Sequence, residues 1–525
     1  MIIRPDRDPL NKAAVMDLDD IDPNLKDWYY PVSKDDLLKE ISQYNLSDVL
    51  IHIGHASAYL FVNVLHLSPD KLLTHWRISY LATLVLLTAK EETERKISET
   101  EFQNLMMMVN RYMNDNSGVM GESVSAEEWE IFSNRLMFFD NLFNKKIGQL
   151  VPRNHMIFKE IPLEKDFKPK FDMASKFKEI TGVSFEHYSD IGMAISASFS
   201  RVTILGENYF KDIKPKELGE EVYKFLEFNS ISVDEFRSKF TDEIFALTPF
   251  LNFPIIRLSQ NRYVCPNVPA LLIRSYELYH IFFTVMKRDF SDYYGRLLED
   301  YVGKVLRITL GEKEVIIPEI LYGSPSTQRT IDWFLKEGKT LILFECKNKR
   351  FHISKTITDG DVRQLNTDIE QSIAVAVSQL STTIKAIKAQ KFDVLKVFAD
   401  VREFIPVVVL PELINHNSIG VRRRVAEILR KEGLEIDFYY HVIDIEELER
   451  ILPFKDFSRG RLLRNFLNNK ASNDKYKYRS FDTYVFHEYK KKIPYSFLKK
   501  RYWELAQVSV RRFFPNATLQ REKQE

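Results

Sequence analysis

Residues 330–350 read TIDWFLKEGKTLILFECKNKR, and the fold of the second half of the chain turns on how this stretch is paired. Lys336, Glu337, Gly338 and Lys339 are the only polar, turn-prone residues between two β-favouring runs. The spacing predicts a hairpin with a two- or four-residue loop centred on Glu337-Gly338. In that register Leu335 faces Thr340 and Asp332 faces Leu343. Strand side chains alternate between faces, so Leu343, Glu345 and Lys347 share a face with Asp332. Asp332 and Glu345 are then diagonal neighbours, roughly 7–8 Å apart at the backbone, within reach of one cation. A three-residue loop would reverse this parity.

Around that stretch lie 525 residues, enough for two to four domains. Hydrophobic residues make up 45% and charged residues 28%, ordinary for a globular chain. The net charge of +1 hides an uneven distribution: −5 over residues 1–50 and +11 over 453–525. Two cysteines, Cys265 and Cys346, are too few for a disulfide framework or a zinc cluster and fit a reducing compartment. MIIRPDRDPL lacks the basic and apolar regions of a secretory signal, and the longest apolar run, 80–89, is about half a membrane span. The expectation is a cytoplasmic protein with no membrane partner.

Residues 1–30 are acidic and proline-punctuated, suited to an extended arm or cap. Helical signals follow: a Ser33 N-cap, a start at Ser68-Pro69-Asp70, and apolar residues at three- and four-residue spacing through 70–115. A further helix is expected in 125–165, ending in the Pro-containing connection VPRNHMIFKEIPLEKDFKP. Residues 171–199 read as helices broken near Gly182, and 232–250 as helices. PIIRLSQNRYVCPN, 254–267, reads as a hairpin. The polar KRDFSDYYG at 287–295 marks the main boundary, dividing a mainly helical region, 1–286, from an α/β domain, 287–452. A basic, aromatic segment, 453–525, ends the chain. No GxxxxGK loop is present, which argues against an ATP-driven motor.

Within 287–452 the predicted order is an amphipathic helix over 293–308, a strand over 314–320, the two hairpin strands, a long helix over 361–388, and strands over 404–410 and 439–445. Glu-x-Lys recurs at Glu94-Arg-Lys96, Glu337-Gly-Lys339 and Glu488-Tyr-Lys490, so the tripeptide alone carries no information. Only Glu345 and Lys347 close an apolar strand with an aspartate across from it. An exposed strand end with an ordinary ion pair is the plainer reading, but ionisable residues directly abutting LILF are an unusual way to finish a buried strand.

Helix with Glu, strand, Asp strand, Glu-x-Lys strand, helix, strand resembles the PD-(D/E)XK nuclease superfamily, over roughly 290–450. The resemblance implies a restriction-endonuclease-like αβββαβ core, with Asp332, Glu345 and Lys347 as the catalytic motif and Glu299 of GRLLEDYV as the first-helix acid. Ile331 stands where the family name has proline. The likeness further implies a Mg²⁺-dependent endonuclease, with Mn²⁺ as a substitute and Asp332, Glu345 and Glu299 as metal ligands. A surface glutamate is an equal reading of Glu299. Gln364, Gln371 and Gln379 keep near one helix face by spacing. Gln379 best matches the family's helix glutamine and, with Lys349 and Arg350, forms the expected nucleic-acid contacts.

Two hard oxygen donors suit Mg²⁺, and a compact ammonium beside them suits charge on a reacting phosphate. The expected partner is DNA, with RNA as an alternative, and homo-oligomers are expected because cutting both strands takes two sites. A role in bacterial defence against foreign DNA, under control of a protein partner or trigger, is implied by the likeness alone. A catalytically degenerate nucleic-acid-binding module, an RNA-cutting effector and an assembly scaffold are the competing readings. KYKYRSF, FHEYKKKIPYSFLKKRYW and VRRFF in the last segment suit phosphate contacts with base stacking, or equally a solvated basic face. His52 and His55 of IHIGH read as core histidines, and Cys346 as a small buried residue.

Overall fold

A computed structural model describes residues 31–63, 74–116 and 147–513, apart from 169, 212, 214–215, 245–247, 311–314, 324–326, 350–354, 356–360, 412–417, 454–461 and 490–495. The acidic arm, the Ser68 helix start, most of 125–165 and Arg350 lie outside the described residues. Contacts divide the chain into two compact units. One comprises 1–150, 172–285 and 503–525; the other comprises 151–171 and 286–502.

The first unit is mainly helical. Its helices are α1 (Lys34–Ile41), α2 (Leu46–Asn63), α3 (His75–Thr88) and α4 (Glu99–Asn116), followed by the start of α5 (Ile147–His155). Ser33 caps α1 in a reciprocal box with Asp36, satisfying amide groups that the first turn leaves open. Beyond α5 come α6 (Met173–Thr181) and α7 (Phe185–Phe199), separated at Gly182, whose φ of +70° ends α6 in a left-handed cap. Then follow β1 (Ile204–Leu205), α8 (Lys216–Asn229), β2 (Ser230–Ser232), α9 (Val233–Lys239), α10 (Thr248–Asn252), β3 (Ile255–Leu258), β4 (Arg262–Val264) and α11 (Val268–Tyr276). The four strands form a small sheet in the order β1-β4-β3-β2. The expected hairpin is β3-β4, turned on Gln260 and Asn261 at positive φ.

The units divide between Val285 and Met286, and one helix, α12 (Tyr279–Leu310), runs through KRDFSDYYG. One expectation needs correction: VPRNHMIFKEIP is not a loop. It continues α5 through a wider π turn, Met156–Glu160, into a 3₁₀ turn, Ile161–Leu163. Val151, Met156, Ile157, Phe158 and Ile161 are all buried. Their burial outweighs the helix-breaking tendency of Pro152.

The second unit is built on a five-stranded sheet ordered β11-β10-β9-β8-β5. Its strands are β5 (Val315–Pro318), β8 (Trp333–Glu337), β9 (Thr340–Cys346), β10 (Glu403–Leu410) and β11 (His441–Asp444); a separate ribbon pairs β6 (Leu321–Tyr322) with β7 (Gln328–Arg329). β5, β8 and β9 are antiparallel neighbours, whereas β9, β10 and β11 run parallel. The crossover from β9 to β10 is a long helix, α13 (Val362–Ile369), a π turn (Glu370–Ala374) and α14 (Val375–Ala389), and α14 packs on both strands. Every residue of β9 is buried, as is the apolar run 405–410 of β10. That accounts for their unbroken hydrophobic runs.

After β10 come α15 (Ile419–Lys431), β11, α16 (Ile445–Ile451), α17 (Leu463–Ser472), α18 (Phe481–Tyr489) and α19 (Ser496–Phe513). In the basic C-terminal segment, Phe466, Tyr476, Phe481 and Tyr484 are buried and pack on one another, so these rings serve a core and are not free for base stacking. Among the described residues no helix is long and apolar enough to cross a membrane.

Candidate active site

The hairpin forms, with its loop one residue later than its composition suggests. Glu337 pairs with Thr340 and Leu335 with Ile342, leaving Gly338 and Lys339 as a two-residue loop. Gly338 takes a φ of +63° at the first loop position, as a type II′ turn requires. The shift moves the register by two residues, so the parity survives while the partner changes. Trp333 pairs with Phe344, and the next step sets Asp332 directly opposite Glu345 instead of diagonal to it.

A second offset lies on the other side of Asp332. Pro318 pairs with Trp333, Thr330 N–H donates to Ile320 O at 3.0 Å, and Leu321 pairs with Arg329. Three steps along one strand therefore match four on the other. The extra residue is a bulge in which Ile331 and Asp332 together face Glu319, a device that re-aims a side chain at a strand end. The Asp332 carboxylate turns to accept the Cys346 N–H at 2.7 Å.

Helix α12 supplies the third wall. Gly295, Glu299 and Gly303 fall at four-residue intervals and so form one stripe. A Cβ at Gly303 would come within 2.1 Å of the Trp333 ring, and one at Gly295 within 2.9 Å of Asn348. Between them, the Glu299 carbonyl accepts the Trp333 indole N–H at 2.8 Å. Glycine permits this close approach, and the approach brings Glu299 to the hairpin. Arg307 lies over the Trp333 ring at 4.6 Å, and Asn348 donates to the Ser291 carbonyl at 2.7 Å.

Four carboxylates and a lysine result. Glu345 is 3% exposed and accepts from Lys347 Nζ at 2.5 Å. Burial, reinforced by the Glu345 charge, pushes Asp332 up to about 7. Burial, reinforced by the Asp332 charge, likewise pushes Glu299 up to about 7, against the opposing pull of Arg296, with which it pairs. Glu345 is raised as well, by burial, with Lys347 pulling the other way. Glu319, paired with Arg329 at 3.5 Å, adds its charge to all three. Sequence reasoning missed Glu319, because nothing in VIIPEILYG reveals the bulge opposite it.

The donor set is all oxygen and mutually repulsive, the chemistry that a hard divalent cation satisfies. Each carboxylate nevertheless has a partner of its own: Arg296, Arg329, Lys347 or the Cys346 amide. Among the described residues no three His, Cys, Asp or Glu side chains stand in a metal-holding arrangement. The other expected contacts are less concentrated. Lys349 is half-buried in the coil after β9, and Gln379 is exposed on α14. Gln364 is half-buried and donates to buried Asp368 at 2.9 Å, whereas Gln371 and Gln379 are exposed.

Cys346 is buried, as expected. His52 and His55 are half-buried, with His52 Nδ1 at 2.9 Å from the Asp48 carbonyl and His55 Nε2 at 3.3 Å from Thr203 Oγ1. No protein-family model matches the chain, and neither a curated protein nor a solved structure is detectably similar to it.

Proposed function

We propose that the second unit is a PD-(D/E)XK-type nuclease that hydrolyses phosphodiester bonds of DNA with Mg²⁺. The observation that carries this reading is the register that sets Asp332 opposite Glu345, with the Glu299 carbonyl bonded to the adjacent Trp333 and Lys347 paired to Glu345. Glu299, Asp332 and Glu345 would hold the cation by closing on it, since no three of the described acids already stand in a metal-holding arrangement. When bound, the cation would ease deprotonation of an attacking water and offset charge on the phosphate. Lys347, fixed by Glu345, places a compact positive charge where the pentavalent phosphorus develops negative charge. The Cys346 amide and Glu345 hold the two neighbours, Asp332 and Lys347, at the strand end. Trp333 and the glycine stripe fix the helix that carries Glu299. Cutting both strands of a duplex takes two such sites, so the reading includes a homo-oligomer.

Purified protein incubated with plasmid, linear duplex, single-stranded DNA and RNA, in Mg²⁺ or EDTA, tests the activity and the substrate class. Lys347→Ala is expected to lose about 10²–10³-fold in rate, the scale of removing one transition-state charge partner. Wild-type activity in that variant would sink the catalytic assignment. The pairing of Glu299 and Glu319 with arginines favours one alternative, a degenerate module that binds nucleic acid without cutting it. That reading predicts mobility shifts indifferent to EDTA and no cleavage on any substrate.

A further inference from the structure

We infer that Arg274, with Asn229 and Tyr188 behind it, anchors a phosphoryl-binding site in the first unit. The site is independent of the nuclease reading. Three helices build it: α7 supplies Tyr188, α8 ends on Asn229, and α11 carries Arg274 in its last turn. Two of them approach very closely. A Cβ at Gly192 of α7 would come within 2.0 Å of Ser275 Oγ on α11, and Ser189 Oγ donates to the Ser275 carbonyl at 2.9 Å. The backbone that carries Arg274 is thereby fixed.

What the arginine lacks is a counter-charge. Arg274 is only 8% exposed, yet among the described residues no carboxylate pairs with it. The one titratable group acting on it is the Tyr188 phenol, which burial pushes up to about 12 and so keeps neutral. Buried Arg153, by contrast, holds two glutamates. Arg274 Nε donates to Asn229 Oδ1 at 3.4 Å, an oxygen that already accepts the Tyr188 hydroxyl at 2.8 Å, and the guanidinium lies over the Phe228 ring at 5.2 Å. A long hydrogen bond, a ring face and the carbonyl end of α11 offset only part of the cost of a buried charge. The two terminal nitrogens have no hydrogen-bond partner among the described residues, and neither is sealed from solvent. They are the outer prongs of a fork that takes two oxygens of one phosphoryl group. Water reaches the same place but brings no charge. A carboxylate also matches the fork, but a phosphoryl group carries more negative charge to a guanidinium whose neighbours supply none.

The plainer role for Arg274 is a strut between α11 and α8. The full chain, in EDTA and at constant ionic strength, is titrated calorimetrically with inorganic phosphate, a nucleoside 5′-monophosphate, the bare nucleoside and acetate. Saturable uptake of phosphate or the monophosphate is expected, with the nucleoside and acetate bound more weakly. Tighter uptake of the monophosphate identifies a nucleotide as the source, and equal uptake identifies free phosphate. Arg274→Met, which keeps an apolar stem and removes the charge, is expected to weaken uptake about 30-fold or more, the scale of cutting one partner from a buried charge pair. In phosphate-free urea unfolding the same variant should be no less stable than wild type, because an uncompensated charge has gone. A lower midpoint with unchanged uptake would make Arg274 a strut only. No uptake of phosphate or monophosphate by wild type, unchanged uptake in Arg274→Met, or a preference for acetate overturns the inference. Should Arg274→Met not fold, Arg274→Lys keeps the charge and loses the fork; it is likewise expected to weaken uptake, and wild-type affinity in it overturns the inference equally.

Discussion

Single side chains carry burdens here that their neighbours in sequence do not announce. Glu337, expected in the hairpin turn, instead closes the ladder and is buried; its carboxylate accepts from Leu463 N–H at 3.2 Å and Arg464 N–H at 3.0 Å. These are the first amides of α17, whose own N-cap, Leu462, has no side chain able to accept them. Glu337→Ala should cost about 1–2 kcal/mol, the usual worth of a lost cap, read as a lower urea midpoint. His75, at the start of α3, is buried, and that burial holds its imidazole down at about 3. The unfolded chain takes up a proton near pH 6.5 that the folded chain refuses, so stability is whole above that pH and falls as pH drops towards 3. Between pH 6.5 and 4.5 the loss should be about 2–3 kcal/mol, at about 1.4 kcal/mol per pH unit. Urea unfolding of wild type and His75→Phe at both pH values tests it: the variant should lose less.

Among the elements, α12 decides whether the site exists. Its stripe of Gly295, Glu299 and Gly303 is readable as spacing, yet its meaning is not, because a glycine in a helix says only that something comes near. The Trp333 ring is what comes near. Gly303→Ala puts a methyl group inside that ring and should cost about 1–3 kcal/mol as overpacking. Because the helix must move away from the hairpin, the nuclease activity proposed above should fall by more than the loss of folded protein explains. A Gly303→Ala variant with wild-type activity per folded molecule would show that Glu299 is dispensable. The hairpin was legible because β-favouring runs flank a short polar stretch, and because side-chain parity is immune to a register shift of two. Its true centre was not, since Glu337-Gly338 and Gly338-Lys339 are both credible turns and only the remote capping of α17 separates them. The bulge at Asp332, and with it Glu319, depends on pairings between segments that no local pattern encodes.

At the scale of the whole chain, sequence order and spatial order part company in residues 151–171, which belong with the second unit although 172–285 return to the first. Charge explains what keeps them there. Arg153, buried, binds Glu449 through two hydrogen bonds of 2.7 and 2.9 Å and Glu446 at 3.0 Å, while Tyr301 of α12 donates to Glu449 at 2.6 Å. Glu449 has no side-chain exposure, so the guanidinium is what makes its charge tolerable inside the unit. No local pattern in VPRNH distinguishes such an arginine from a surface one. Arg153→Ala would strand a buried carboxylate and should cost about 3–5 kcal/mol. Removing both charges, as Arg153→Met with Glu449→Leu, should recover much of that loss, because a buried ion pair is worth little more than apolar groups of its own size. Unfolding the single and double variants in urea decides the matter. A single variant as stable as wild type would mean that residues 151–171 are held by their apolar contacts and by the pairs that Glu160 and Glu164 make with Lys304 and Arg501.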